Sequence, residues 1–172
     1  MSRVLTFSRV FPSYHPRAGE PTYFVEKIWE SQIRLLEISL SRCCELSRET
    51  GIGNYTMNSI RKIDFEPKYH TMRAGHRWKV GDWFSPRVWS ADPYRSKQIQ
   101  FSPDIQIKQV WDFEFTFDDL VYIGNELYAY SSSHEALEKL ASNDGLTQAD
   151  LLAWFNKPIE GQIICWNENI NY

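Results

Sequence analysis

Residues 65–97, FEPKYHTMRAGHRWKVGDWFSPRVWSADPYRSK, bring basic side chains, aromatic rings and turn residues together as no other part of this 172-residue chain does. From Lys68 to Lys97 there are seven Lys/Arg (68, 73, 77, 79, 87, 95 and 97) against two acids, Asp82 and Asp92. Tyr69, Trp78, Trp83, Phe84, Trp89 and Tyr94 are interleaved with them. If residues 68–73 form a strand, alternate side chains share a face. Lys68, His70 and Met72 then lie on one side, Thr71 and Arg73 on the other. A bend would instead bring Lys68, Thr71 and Arg73 to one pocket. Ala74-Gly75 and Val80-Gly81-Asp82 supply the turn chemistry to end such a segment.

The contrast with the rest of the chain gives this stretch its interest. Seven basic residues against two acids make it +5, whereas residues 101–172 hold twelve acids and three basic residues. The net charge of −3 therefore conceals a basic patch and an acidic half. One reading is a solvated edge whose Lys and Arg stems cover indoles. The other is a surface for a single strand or a lone nucleotide, with charge for phosphate and rings for base stacking.

The length suits one domain over residues 1–172, and aromatics, at 15%, are abundant enough to fill a core and leave rings over. No apolar run approaches the roughly 18 residues that span a bilayer. The first residues, MSRVLTFSRVFPSYHP, lack the apolar core of a secretory signal. A reduced, cytoplasmic setting with no membrane partner is expected. Cys43 and Cys44 are adjacent and Cys165 is remote, while His15, His70, His76 and His134 are scattered. Neither pattern has metal-ligand spacing, so no metal and no cofactor are expected. A catalytic cysteine has no support either.

Residues 4–10, VLTFSRV, predict a first strand, and Pro12, Pro16, Gly19 and Pro21 a rigid loop. Thr22 fits an N-cap, with Glu26 in the first turn. From residue 23 to 48 there is no Gly or Pro, and Val25, Ile28, Trp29, Leu36, Leu40 and Cys43 recur at helical spacing. This predicts one long N-terminal helix, a helical insertion over about residues 22–50, closed by Gly51 and Gly53 with its stripe facing the core. Residues 54–62 carry no clear pattern. Residues 98–101 predict a short strand, and residues 105–115, IQIKQVWDFEF, alternate almost throughout as the clearest strand. Residues 120–128, turning at Gly124-Asn125, predict a hairpin. Ser133 and Thr147 predict the caps of two short helices, the second stopped near Pro158. Residues 161–166 predict a last core strand, and residues 167–172 a tail. The class is α+β: a small, mostly antiparallel β-barrel flanked by helices.

In this order the residues resemble the ASCH family, within the PUA-like superfamily. The resemblance rests on the opening strand at 5–9, on Lys-x-x-Thr-x-Arg at Lys68, Thr71 and Arg73, and on Lys-Val-Gly-Asp at 79–82. It extends to Asp144-Gly145-Leu146 before a late helix and to the closing strand. Arg-Trp-Lys-Val-Gly-Asp and Pro-Tyr-Arg-Ser-Lys resemble an uncharacterised bacterial or phage subgroup. The resemblance implies a PUA-like barrel and RNA binding. One bacterial branch deacetylates acetylated cytidine with a lysine, a threonine and a carboxylate, and these fall on Lys68, Thr71 and Asp144. Asp144 stands where that branch has a Glu. The helix near 23–48, the loop near 54–62 and the Trp-rich residues 83–95 are additions to it.

Three functions follow as expectations. The first is a module binding RNA or a modified nucleotide or nucleoside. Arg73, Arg77, Lys79, Arg87 and Arg95 would hold phosphate, and Trp78, Trp89 or Tyr94 would stack on a base. The second is a small amidohydrolase acting on an acylated nucleoside. Lys68 would serve with a neutral amine, which Arg73 and desolvation favour, Thr71 would support an oxyanion, and Asp144 would move a proton. The third is a protein-interaction module whose acidic half meets a basic partner.

Overall fold

The computed structural model describes residues 2–53, 65–116, 118, 120–130 and 133–172. The unpatterned stretch at 54–62 lies outside the described residues. In chain order the elements are β1 (Arg3–Thr6), α1 (Phe24–Arg34), α2 (Leu40–Thr50), β2 (His70–Ala74), β3 (Trp83–Trp89), β4 (Gln98–Gln100), β5 (Ile105–Gln106), β6 (Gln109–Phe115), β7 (Val121–Ile123), β8 (Glu126–Ala129), α3 (His134–Asn143), α4 (Gln148–Trp154) and β9 (Ile159–Cys165). The class is α+β with mixed, mostly antiparallel sheets. The chain divides into two compact units, Met1–Lys68 with Trp83–Ile105, and Tyr69–Asp82 with Gln106–Tyr172.

In the first unit β3 organises the sheet. It runs parallel to β1, with Leu5 opposite Pro86, and antiparallel to β4, with Val88 opposite Ile99; β5 also pairs with β3. Phe84 and Val88 turn inward beside Phe7 and Phe101. Phe7 meets Phe84 at 6.3 Å and Phe101 at 6.0 Å. Trp29 of α1 packs edge-on against Phe101 at 6.3 Å, and its Nε1–H donates to the Phe101 carbonyl at 3.1 Å. Val25, Ile28 and Trp29 form the buried stripe expected of an amphipathic helix.

The expected long helix is two helices. α1 stops at Arg34 because Leu36 adopts φ 60°, a left-handed conformation that an α-helix cannot contain, and its side chain is 90% exposed. Ser39, extended at φ −86°, restarts the chain by accepting the Arg42 N–H at 3.2 Å, a true N-cap for α2. Thr22 does not hold the cap position of α1, which falls to Tyr23 at φ 57°; the Thr22 hydroxyl donates to the Ser8 carbonyl and accepts the N–H of Phe24, the first residue of α1, at 3.4 Å.

The second unit is a five-stranded sheet in the order β2-β9-β6-β7-β8. β9 is buried from Gly161 to Cys165 and pairs antiparallel with both β2 and β6. The predicted hairpin forms, with Ile123 opposite Glu126, and Thr147 caps α4 by accepting the Asp150 N–H at 3.1 Å. Phe113 and Phe115, two apart on β6, point to one face and meet Phe155 at 6.1 and 5.0 Å. The strand expected over 105–115 is interrupted. Ile107 turns its backbone to Gly81 and Asp82, so pairing resumes only at Gln109. Among the described residues the strands make two sheets with no pairing that closes either into the expected barrel. No helix among them is long and apolar enough to cross a membrane.

Candidate functional site

The basic, aromatic stretch is divided between the units, with residues 65–68 and 83–97 in the first and residues 69–82 in the second. In the first unit β3 ends at Trp89 and the chain turns back to β4 through residues 90–97. Ser90 N–H donates to the Lys97 carbonyl at 2.9 Å, and the Ser96 hydroxyl donates to the Asp92 carbonyl at 2.9 Å while accepting the Ala91 N–H. These bonds fix a tight turn in which Tyr94 takes φ 63°, uncommon for a bulky residue. Its ring is 87% exposed and lies 5.4 Å from Trp89, tilted by 49°. Arg95 and Lys97 are exposed beside it, and Arg87 is half-buried, its Nε donating to the Ser85 hydroxyl at 3.1 Å.

The Arg9 guanidinium, following β1, reaches the Ser90 carbonyl at 3.5 Å. Arg9 also lines a cleft of about 200 Å³ at the start of α1, with Thr22, Tyr23, Glu26 and Ile52. Tyr23 stands on that cleft with its ring 5.3 Å from Phe65. Arg9, three residues past the end of β1, lies within the strand expected over residues 4–10 and carries no functional signal of its own. Lys68 also belongs to this unit. It is 1% exposed, and its ammonium sits 4.3 Å above the Phe24 ring. Lysine is almost never buried so fully unless it is held by partners.

In the second unit the registers decide which side chains share a face. His70, Cys165 and Gln109 form one row across β2, β9 and β6, and Met72, Ile163 and Trp111 the next on the same face. Thr71, Ile164 and Val110 form a row on the opposite face, with Arg73, Gln162 and Asp112 following. Asp144, buried at the end of α3, places its Oδ1 3.4 Å from His70 Nδ1. Asp144 therefore meets His70 on one face of β2, and Thr71 leaves the strand on the other. Trp78, expected as a stacking ring, is 3% exposed. Its backbone is clamped by the Gln162 amide, which accepts from Trp78 N–H at 2.9 Å and donates to its carbonyl at 3.3 Å. Arg77 and Lys79 are exposed and Arg73 half-buried.

The residues after β9 return to the His70 face. Gln109 Nε2 donates to the carbonyls of Asn167, Glu168 and Ile170, and Lys139 Nζ to that of Asn171. Tyr172 then inserts beside His70 at 5.6 Å, Trp111 at 5.1 Å and Tyr128 at 5.5 Å, all edge-on, and its hydroxyl accepts Asn143 Nδ2–H at 3.0 Å. Burial pushes the Tyr172 phenol well above its ordinary range, against the opposing pull of the Asn143 bond. The expected tail is thus a packed segment. The available signal was Ile170 and Tyr172, two apolar residues spaced by two in a polar run.

The cysteines are free and buried. Burial pushes the Cys43 and Cys165 thiols up to about 12, so neither supplies a thiolate nucleophile near neutral pH. Among the described residues no three His, Cys, Asp or Glu side chains gather as metal ligands. Comparison with family models, with curated proteins and with solved structures gives no match.

Proposed function

We propose that the chain is an ASCH-type, PUA-like module that binds single-stranded RNA or a modified nucleotide on its basic, aromatic stretch. The observation that carries this reading is the Trp89–Tyr94 pair in the turn after β3, with Tyr94 exposed and Arg87, Arg95 and Lys97 around it. Flat rings accept any base face, and the flanking cations follow the phosphates. Arg9 extends the positive surface from that turn to the cleft at the start of α1.

The test is binding of a labelled single-stranded RNA of about a dozen nucleotides across a salt series, with variants of the turn. Affinity falls linearly in log–log form as salt rises, because bound phosphates release counterions. Trp89→Ala and Tyr94→Ala each weaken binding by about 1–3 kcal/mol with an unchanged salt slope, since stacking carries no charge. Arg95→Ala lowers the slope by about 0.7, the value for one contact on a single strand. Absence of binding at low salt to RNA of any composition ends the proposal.

A second reading, a small amidohydrolase for an acylated nucleoside, is favoured by the burial of Lys68. A lysine enclosed beside an aromatic ring is better suited to chemistry than one in water. The resemblance assigns Lys68, Thr71 and Asp144 to that role, but Thr71 and Asp144 lie on opposite faces of β2, so the reading rests on Lys68. Incubation with acetylated cytidine, followed by chromatography of released cytidine, is the assay. Turnover by the unmodified chain and none by a folded Lys68→Ala variant is the expected pair of results, and full turnover by that variant eliminates the reading. Asp144→Asn is the informative companion, because the observed neighbour of Asp144 is His70.

A further inference from the structure

Tyr172 is surrounded as a bound ligand would be. His70, Trp111 and Tyr128 present their rings to it at angles of 80°, 76° and 89°. The Lys139 ammonium stands 5.6 Å from its ring centre, and the Asn143 amide donates to its one polar atom. Three ring contacts, a cation and an aimed donor are what a site for a planar ring with an acceptor on its edge requires. The walls of this box belong to fixed elements: His70 to β2, Trp111 to β6, Tyr128 to β8, Lys139 and Asn143 to α3. Its occupant does not. The segment at 167–172 carries no strand or helix; it is held by the side chains of Gln109 and Lys139, by bonds between the Asn167 backbone and Cys165 Sγ, and by the buried side chain of Ile170.

We propose that Tyr172 is a built-in stand-in for a nucleobase, and that displacement of residues 167–172 opens an aromatic box in the second unit that takes a base with an edge carbonyl or ring nitrogen facing Asn143. Asn143 Nδ2–H donates to that acceptor in place of the phenol oxygen. Asp144, adjacent and held near His70, accepts from an amino group where the base carries one. In the closed state the ring of Tyr172 competes directly with the base, so the apparent affinity is the intrinsic affinity multiplied by the fraction of molecules with the segment lifted. The device deepens the nucleic-acid reading and rests on it. The exposed turn at Trp89 and Tyr94 supplies nonspecific stacking, and the box supplies a second, gated base site.

Isothermal titration with adenosine, cytidine, guanosine and uridine separates this from a purely structural role. Tyr172→Ala removes the competitor and keeps every wall, so at least one nucleoside binds about tenfold or more tightly than to the unmodified chain. Tyr172→Phe keeps the ring and loses the Asn143 bond, and gives a smaller gain. Gln109→Ala, which frees the segment and leaves Tyr172 in place, also raises affinity for the same nucleoside. That variant carries the test if Tyr172→Ala does not fold. Equal nucleoside affinity in the folded variants and the unmodified chain overturns the proposal. Failure of the nucleic-acid reading is a different result: loss of RNA binding at low salt by the unmodified chain, which the nucleoside titration does not measure.

Discussion

Gly161→Ala is expected to destabilise the second unit by about 3 kcal/mol or more. A Cβ at this position overlaps the Arg73 carbonyl oxygen and lies 2.7 Å from its carbonyl carbon and 2.8 Å from the Ala74 Cα. All three are backbone atoms, so no rotamer change relieves the contact. Gly161 sits opposite Ala74 on β2 and Phe113 on β6, at the point where β9 is gripped from both sides. The added methyl must push β2 away from β9 or break the register that puts His70 and Thr71 on their respective faces. Urea unfolding followed by circular dichroism measures the effect as a fall in the transition midpoint. An unchanged midpoint would mean that β2 and β9 do not approach this closely in solution. Nucleoside binding at the proposed box is expected to fall with stability in this variant, since β2 carries His70.

Local chemistry was legible wherever one residue type decides the backbone. Thr147 before an apolar helical run, Gly124-Asn125 between two strand-like runs, and the apolar residues of β9 all predict what forms. The break in the N-terminal helix was not legible, for a geometric reason. Val25 and Cys43 are five turns apart at about 3.6 residues per turn, so they stay in phase whether or not the helix continues. Leucine at φ 60° leaves no mark in the sequence, unlike a Gly or Pro. β3 was hidden by its own content: Pro86 argues against an interior strand, and Trp89 and Arg87 drew attention as chemistry rather than as backbone. The candidate site divides along similar lines. The turn with Trp89, Tyr94 and Arg95 lies inside the basic, aromatic stretch that composition marks, but which of that stretch's rings are exposed does not follow from composition. The meeting of Asp144 with His70 depends on α3 returning to β2, a long-range contact that no local pattern encodes. Trp78 illustrates the opposite error, since an indole flanked by Arg77 and Lys79 looks available for stacking yet is buried against Gln162.

Trp29→Ala is expected to cost the first unit about 3–5 kcal/mol, and its consequence for RNA binding separates fold from site. The indole is fully buried and joins α1 to the strand ends through its bond to the Phe101 carbonyl. Phe101 in turn donates its N–H to the Pro86 carbonyl and packs on Phe7, so the loss spreads from α1 into β3 and β4. Trp29→Phe retains most of the volume but leaves the Phe101 carbonyl without its donor, at about 1–3 kcal/mol. The order in urea is therefore unmodified chain, then Trp29→Phe, then Trp29→Ala, read from tryptophan fluorescence. β3 and β4 carry the turn that presents Trp89 and Tyr94, so RNA binding by the Trp29 variants must fall in step with the folded fraction. Trp89→Ala must instead lose binding while its unfolding midpoint stays near that of the unmodified chain. If Trp29→Ala unfolds the unit and RNA binding persists, the turn after β3 is not the binding surface. If Trp89→Ala lowers stability as much as binding, the half-buried Trp89 ring is part of the core rather than of the binding surface.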